Sequence, residues 1–435
     1  MTPQQRLATR EFFGIKLGLD TMRALIGALD HPERSFLPII VAGTNGKGSV
    51  TAMVARALRA AGLRTGRYTS PHLTHLTERF AIDDRDVDDE ALDAALAAVF
   101  EAEERLLAAG ALPGPATYFE LTTAAAFVIF RAAGVRVAVV EVGLGGRHDA
   151  TNVVEAPWAA ITSIGMDHMA QLGNTLALIA AEKAGVIMPG ATVVSGVTED
   201  EPATVIAETC AARAATLIRA GEQARLEVEE DDGDCVVAID TPRRRYRRVR
   251  LALRGRHQAA NALVAVRLLE ALEAAGIGGG AEAIVTGLAD ARWPGRLERQ
   301  VMPGGSTVVL DGAHNPAGAE ALATWWRSAG FAPATLVTAC MRDKDVEGLL
   351  RPLLPLADAV IATAVPFARA LPAAELSERI AALAPALAVT VAPSPAEAMA
   401  AAAERHARVV VAGSLFLVGA AREWLARQGG PSQPA

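Results

Sequence analysis

The stretch LPIIVAGTNGKGSVTAMVARALRAAG, residues 37–62, runs from an apolar segment through Gly43-Thr44-Asn45-Gly46-Lys47-Gly48-Ser49 into an amphipathic helical pattern. A strand, a glycine-rich turn and a helix in that order make a phosphate loop. The glycines let backbone amides turn inward, and the start of the helix adds positive potential. Lys47 neutralises phosphate charge, and Ser49 can set a hydroxyl on a metal ion. Two positions depart from the usual GxxxxGK[ST] spacing: Gly48 separates Lys47 from the hydroxyl residue, and Ala42 stands where the first glycine is usual. A bare tight turn would need the glycines but neither the lysine nor the hydroxyl, so the stretch is read as nucleotide-binding.

Working outward, short β-branched runs alternate with longer helical patterns, the signature of parallel strands joined by crossover helices. The class is α/β. The pattern predicts strands near 39–42, 64–68, 135–140, 159–164 and 192–197, forming a mainly parallel sheet around the phosphate loop. Between Leu226 and Leu253 the runs shorten and alternate, broken by Asp-Gly and Thr-Pro, which predicts antiparallel strands appended to that sheet. At ARWPGRLE, residues 291–298, Trp-Pro-Gly interrupts a helical pattern and a fresh strand–helix series begins, with strands near 307–310, 336–338, 359–362, 388–391 and 409–412. The junction is placed there, giving a nucleotide-binding domain over 1–292 and a smaller Rossmann-like domain over 293–430. Ligands of open α/β sheets bind beyond the carboxyl ends of strands, so the substrates are expected in a cleft between the two.

The 435 residues are too many for one ordinary core. Hydrophobic residues at 51% and charged residues at 21% are the balance of a folded protein. A formal net charge of −7 supplies no basic field for a nucleic acid. The dense cluster Arg243, Arg244, Arg245, Arg247 and Arg248 falls between apolar alternations and reads as the solvated face of a hairpin. Cys210, Cys235 and Cys340 are far apart without CxxC spacing, which suits a reducing cytoplasm. No apolar run reaches the ~18 to 20 residues of a membrane span, and the first residues lack a targeting pattern. Residues 429–435 read as a loose tail.

Three further stretches place chemistry at strand ends. In VAVVEVGLGGRHDATN, Glu141 closes an apolar run ahead of Gly143, Gly145 and Gly146; a carboxylate there can bind magnesium beside nucleotide phosphates, or simply cap a helix or a loop. In AAITSIGMDHMAQLG, Asp167 and His168 follow another run, where a histidine is as readily a packing residue as a ligand. Lys183 sits in an alanine-rich helical pattern and by itself reads as a solvated side chain. In STVVLDGAHNPAGAEAL, Asp311 ends a strand, and His314 and Asn315 precede a proline-started helix.

Taken in order, GTNGKGSV, YTSPHL, ERF, TYFELTTAAAF, EVGLGGRHDATN, SIGMDH, AAEKAGVI, GRHQAANALVA, WPGRLE and LDGAHNP resemble the Mur ligase superfamily, and within it the folylpolyglutamate synthase and dihydrofolate synthase family. The resemblance covers most of the chain. It implies an ATP- and magnesium-dependent ligase that activates a carboxylate as an acyl phosphate and joins it to the amine of L-glutamate. The acceptor would be dihydropteroate, a reduced folate, or both. By the same resemblance Gly43 to Ser49, with Asn261, Arg296, Asp311 and His314, would hold ATP. Ser49, Ser70, Glu141 and His168 would serve two magnesium ions, and Lys183 matches a lysine that becomes carbamoylated, turning a cation into an anion beside the metal. Lys47, Glu141, His168 and Lys183 form the implied catalytic set. Thr117, Tyr118, Phe119 and Glu120, with Pro71 and His72, match the pterin-contacting segments. His148 stands where an aliphatic or aromatic residue is usual and is expected to touch the pterin. Thr77 and Met169 also depart from the family pattern, at positions that bear on specificity rather than on phosphate or metal.

Two other readings fit parts of the pattern: a ligase that adds an amino acid to a non-folate carboxylate, and a nucleotide switch without ligase activity. The GKGS loop with SPHL and WPGRLE speaks against the first; a second catalytic edge at Arg296, Asp311 and His314 speaks against the second. A cytoplasmic monomer, working on small molecules and on neither nucleic acid nor membrane, is the expectation.

Overall fold

The computed structural model describes residues 1–10, 18–231, 233–302, 305–405 and 408–429. The tail expected at 429–435 therefore lies, beyond Gly429, outside the described residues. The first sheet contains β1 (Leu37–Ala42), β2 (Thr65–Tyr68), β3 (Phe80–Ile82), β4 (Arg85–Asp86), β5 (Val137–Glu141), β6 (Trp158–Ile161), β7 (Thr192–Ser195) and β8 (Thr216–Arg219). Its order is β4-β3-β2-β5-β1-β6-β7-β8. All pairings are parallel except those of β3, which runs antiparallel to β2 and to β4 at one edge. A strand covered by helices on both sides needs apolar residues at every position, and β1 shows why its run is continuous. Ile40 and Ala42 enter the core shared with the helix Tyr118–Ala132, whereas Ile39 and Val41 enter the core shared with the helix His257–Ala274. All four are fully buried.

The strands expected as an appendage to this sheet instead form a separate one, β9 (Arg225–Asp231), β10 (Asp234–Asp240) and β11 (Arg245–Arg250), in the order β11-β10-β9. Cys235, Val237 and Ile239 of β10 are buried, in one core with Leu268 and Leu272 of the helix His257–Ala274. Alternation reveals which face is buried but not which edge a strand joins, so the sequence pattern could not separate the two arrangements. On β11 Tyr246 and Val249 point inward and Arg245, Arg247, Arg248 and Arg250 are exposed, the solvated face expected.

The third sheet contains β12 (Glu298–Val301), β13 (Thr307–Leu310), β14 (Ala334–Thr338), β15 (Ala357–Ala362), β16 (Ala388–Val391) and β17 (Val409–Ala412), ordered β12-β13-β17-β14-β15-β16. Only β12 is antiparallel. Apolar cores cover both its faces. The chain passes from the first lobe to the second between the helix Ala281–Ala289 and β12. The lobes also meet where Trp325 donates its indole N–H to the Gly233 carbonyl at 3.0 Å, in the turn between β9 and β10. Among the described residues no helix is long and apolar enough to cross a membrane.

Candidate active site

The first sheet changes direction at β1, which lies between β5 and β6, and the phosphate loop leaves the sheet at that point. Gly43 (φ 146°) and Gly46 (φ 86°) both have positive φ, and a side chain on either would overlap a neighbour, Thr162 for Gly43 and Asn261 for Gly46. The loop is strapped to the segment after β6. Thr44 N–H donates to Ser163 O at 2.7 Å and Asn45 N–H to Ser163 Oγ at 3.0 Å, while the hydroxyls of Thr162 and Ser163 donate to Asn45 O at 2.6 and 3.0 Å. This strapping explains why β6 stops at Ile161, before the predicted end at 164: Thr162 and Ser163 turn their hydroxyls onto the loop.

Lys47 Nζ donates to the carbonyls of Gly43 (3.1 Å) and Thr44 (3.2 Å), and Lys183 Nζ donates to the same Gly43 carbonyl at 2.9 Å. Lys183 is therefore not the solvated side chain that its helical context suggests; it is only 5% exposed. Burial, reinforced by the Lys47 ammonium, lowers its pKa to about 7. Burial likewise lowers Lys47, against the opposing pull of the Glu141 carboxylate. What forces Lys183 inward is Gly146, whose missing side chain makes room for the carbonyls of Glu182 and Lys183. Of the glycines after Glu141, Gly146 thus docks the end of the helix Leu176–Lys183, while Gly143 makes room for Phe119 and Gly145 for Leu172.

Glu141 closes β5 and is 4% exposed. Burial raises its pKa, while Lys47 and the Ser70 N–H, 3.3 Å from Oε2, act the other way. The loop beyond it is organised by Asp149, a buried carboxylate that accepts N–H groups from Leu144 (2.8 Å) and Thr151 (3.0 Å). Asn261 is tied to Gln258 (2.9 Å) beside Gly46. Glu141, Gln258 and Asn261, together with Ser49, Ser70, Pro71, Arg296 and residues of the second lobe, line a cleft of about 700 Å³.

Across the cleft the lobes are joined through Asp167. Its carboxylate takes Lys344 Nζ at 2.5 Å and Asn315 Nδ2 at 3.1 Å, with His314 Nε2 at 3.6 Å. Asn315 also donates to Asn45 Oδ1 at 3.1 Å. Burial alone would raise the Asp167 carboxyl, but His314 and Lys344 hold it well below the usual carboxylate range. Lys344 also lies 3.4 Å from His168 Nε2; burial and that ammonium push His168 down to about 4. Lys344, Thr162, Ser163 and Asp149 were not among the residues singled out from the sequence. Lys344 carries no local signal, because its partner is 177 positions away.

Asp311 lines the cleft with both oxygens engaged, accepting the N–H groups of Leu297 (3.0 Å) and Ala313 (2.9 Å). The segment Thr117–Glu120, His72 and His148 do not line this cleft. Thr117 and Glu120 are buried and form a capping box: Glu120 Oε2 accepts from Thr117 N (2.8 Å) and Oγ1 (2.9 Å). Thr117 and one Glu120 oxygen are thus spent on starting a helix, while Glu120 Oε1 is buried without a hydrogen-bond partner beside the half-buried rings of Tyr118 and Phe119. The Arg79 guanidinium sits 5.3 Å from the Tyr118 ring and donates to His72 Nδ1 at 2.9 Å. His148 is exposed.

Among the described residues no three His, Cys, Asp or Glu side chains gather as a ready metal cage. One buried acid, one imidazole and two hydroxyls beside a phosphate loop instead suit a magnesium ion that completes its shell with phosphate oxygens and water. The buried Glu141 carboxylate, disfavoured as an anion by its surroundings, calls for a cation there.

Residues 41–269 match the Mur ligase middle domain, and residues 297–423 match the dihydrofolate synthetase C-terminal domain. A dihydrofolate synthase/folylpolyglutamate synthase of Mycobacterium tuberculosis is 40% identical over 366 residues, covering 79% of this chain and 74% of that protein. The M. tuberculosis folylpolyglutamate synthase solved with ADP superposes with a TM-score of 0.91 at 34% identity over 99% of this chain and 98% of the other. Escherichia coli FolC, solved with DHPP and ADP, gives 0.86 at 29% identity over 99% of each chain. A bifunctional folylpolyglutamate synthase/dihydrofolate synthase with Mn, AMPPNP and L-glutamate bound gives 0.83 at 29% identity over 98% of each.

Proposed function

Since the chain belongs to the folylpolyglutamate synthase and dihydrofolate synthase family of ATP-dependent ligases, we propose that it adds L-glutamate to dihydropteroate, to reduced folates already carrying glutamate, or to both. The observation that carries this reading is the cleft floor, where the half-buried Lys47 and the buried Lys183 meet at the Gly43 carbonyl and a buried acid, Glu141, acts on the charge of Lys47. Such a floor suits a triphosphate and its metal. The acceptor carboxylate attacks the γ-phosphorus, its oxygen forming the new bond as ADP leaves. Glutamate's amine then attacks the acyl phosphate carbon, loses a proton and expels phosphate. Lys47 moves from loop carbonyls to phosphate oxygens and spreads the charge of the transferring group; Gly46 to Ser49 offer backbone amides at the positive end of the helix Lys47–Ala60. Ser49, Ser70, Glu141 and His168 would hold magnesium, which when bound neutralises phosphate charge. For His168 to serve, Lys344 must withdraw from its Nε2.

Lys183, with a pKa near 7, has a substantial neutral fraction at neutral pH, the form that adds to carbon dioxide. The amine nitrogen bonds to the carbon and a proton passes to water, leaving a carbamate whose negative charge suits the metal side of the site. Asn261, Arg296 and His314 complete the nucleotide site, with Asp311 holding the turn that carries His314, and Tyr118 and Phe119 offer stacking surfaces for a pterin. The protein acts as a monomer in the cytoplasm.

The test is phosphate release by the purified protein with ATP, magnesium and glutamate, with and without dihydropteroate or tetrahydrofolate. Release that rises only with a pterin carboxylate supports the reading; release indifferent to both refutes it.

A further inference from the structure

Gly48, the residue that spoils the usual spacing of the phosphate loop, lies in the first turn of the helix Lys47–Ala60. A methyl group built on it would overlap the indole of Trp293 at Cε2, Cζ2 and Nε1. The extra glycine is therefore the seat of that ring. Trp293 also receives the Arg67 guanidinium of β2, 5.2 Å from the ring centre. The Arg67 side chain is 13% exposed, and its charge acts on Glu141. Trp293 opens the segment that carries the chain between lobes. Two residues on, Gly295 accepts the Gly312 N–H at 2.8 Å, and Arg296 lies over Gly312, where a side chain would overlap its guanidinium. Three positions of the crossing thus hold both lobes: the indole on the nucleotide helix, the Gly295 carbonyl and the Arg296 guanidinium on the turn after β13.

We infer that Trp293 is a positioning residue, which seats the interlobe crossing on Gly48 and thereby fixes Arg296 at the nucleotide site. The inference rests on the nucleotide-site part of the reading above and is independent of the acceptor. An indole seated on a first-turn glycine with a guanidinium beside it is held in place by both contacts, and the Pro294 ring that follows restricts the chain leaving it. Arg296, three residues beyond Trp293, is placed by that anchor.

The test is a double-mutant cycle on ADP binding, measured by calorimetry with magnesium and no acceptor, so that a wrong acceptor assignment leaves the result readable. Trp293→Leu is expected to weaken ADP about tenfold, and Trp293→Phe, which keeps a flat ring on Gly48, less than threefold. Gly48→Ala should weaken it about tenfold or more through the clash with the indole, but less than threefold further when added to Trp293→Leu, where the clash is gone. Thermal melts check that each variant is folded. Tryptophan emission gives a second readout: if the ring sits on the nucleotide helix, ADP shifts the emission of the wild type, and the shift is lost in Trp293→Phe. Equal loss from Gly48→Ala in both backgrounds, or ADP affinity untouched by Trp293→Leu, would overturn the inference.

Discussion

Glu141 and Asp311 look alike in the sequence: each ends an apolar run and precedes a glycine-bearing turn. In the fold each is a strand-end carboxylate, 4% and 6% exposed, on opposite walls of one cleft. Their partners differ. Asp311 accepts a backbone N–H on each oxygen, tying β12's approach to the turn after β13. Glu141 has a single 3.3 Å N–H from Ser70 and a pKa raised by burial. One carboxylate is satisfied by its own lobe and acts as a clamp; the other is held in readiness for a cation that arrives with the nucleotide.

The strongest way to break this contrast is Glu141→Gln. It should lower acceptor-dependent turnover by about 10³-fold, the scale of losing one electrostatic contact to the transferring group, while leaving the melting temperature of the ligand-free protein equal or higher. The sign follows from linkage: a carboxyl with a raised folded pKa binds more protons folded than unfolded between its ordinary and raised values. Stability of the ligand-free protein therefore falls as pH rises through that window, and the Gln variant, measured by thermal melts across pH, should lack that component. A variant with wild-type turnover would remove Glu141 from the site.

Next is Lys183→Ala, expected to lose about 10²-fold in turnover and to regain part of it with added short carboxylates, which supply the anion that a carbamate would. No rescue, together with full activity in carbon-dioxide-free buffer, would refute the carbamate. Asp311→Asn should do the reverse of Glu141→Gln. Losing one charged acceptor of two backbone N–H groups costs about 1–3 kcal/mol, seen as a melting temperature several degrees lower, with a smaller fall in turnover. A larger activity loss at unchanged stability would make Asp311 a direct participant and erase the contrast.

The smallest effect concerns His72, held at a pKa near 4 by burial and by Arg79. It is neutral throughout the range in which the enzyme would be assayed, so the KM for the acceptor should show no inflection from it between pH 5 and 8. Its depressed folded value contributes stability that is present above the unfolded value near 6.5 and is lost as pH falls from there towards 4. His72→Gln should weaken that acid sensitivity in melts.

What could be read in advance was what neighbouring residues impose on one another. The apolar run ending at Ala42, the glycines around Lys47 and the turn residues at Trp293 to Gly295 act over a few positions, and their periodicity is visible in one dimension. The acids that close or follow strands, Glu141, Asp167 and Asp311, were visible too, after such runs, but not what each carboxylate would find facing it, nor that β6 ends at Ile161, well before Asp167. Lys183 shows the limit: its helix reads as a solvated face, and only the absent side chain of Gly146, 37 positions earlier, admits its docking. Short elements were also missed. β3 and β4 have three and two residues, too few for a period to emerge; β8 and β12 have four, as β13 and β17 do, but lack the continuous apolar run of those strands, and β8 is half exposed besides. The separate sheet β11-β10-β9 escaped because alternation is silent about edges.

The indole N–H of Trp325 on the Gly233 carbonyl ties the turn between β9 and β10 to the second lobe, apart from the covalent crossing at Trp293. Any swing that admits substrates must therefore either turn about that bond or break it. A short chemical tether across the Trp325–Gly233 contact should leave turnover intact in the first case and stop it in the second, whereas the same tether between Asn45 and Asn315, which meet across the cleft, should lock the jaws.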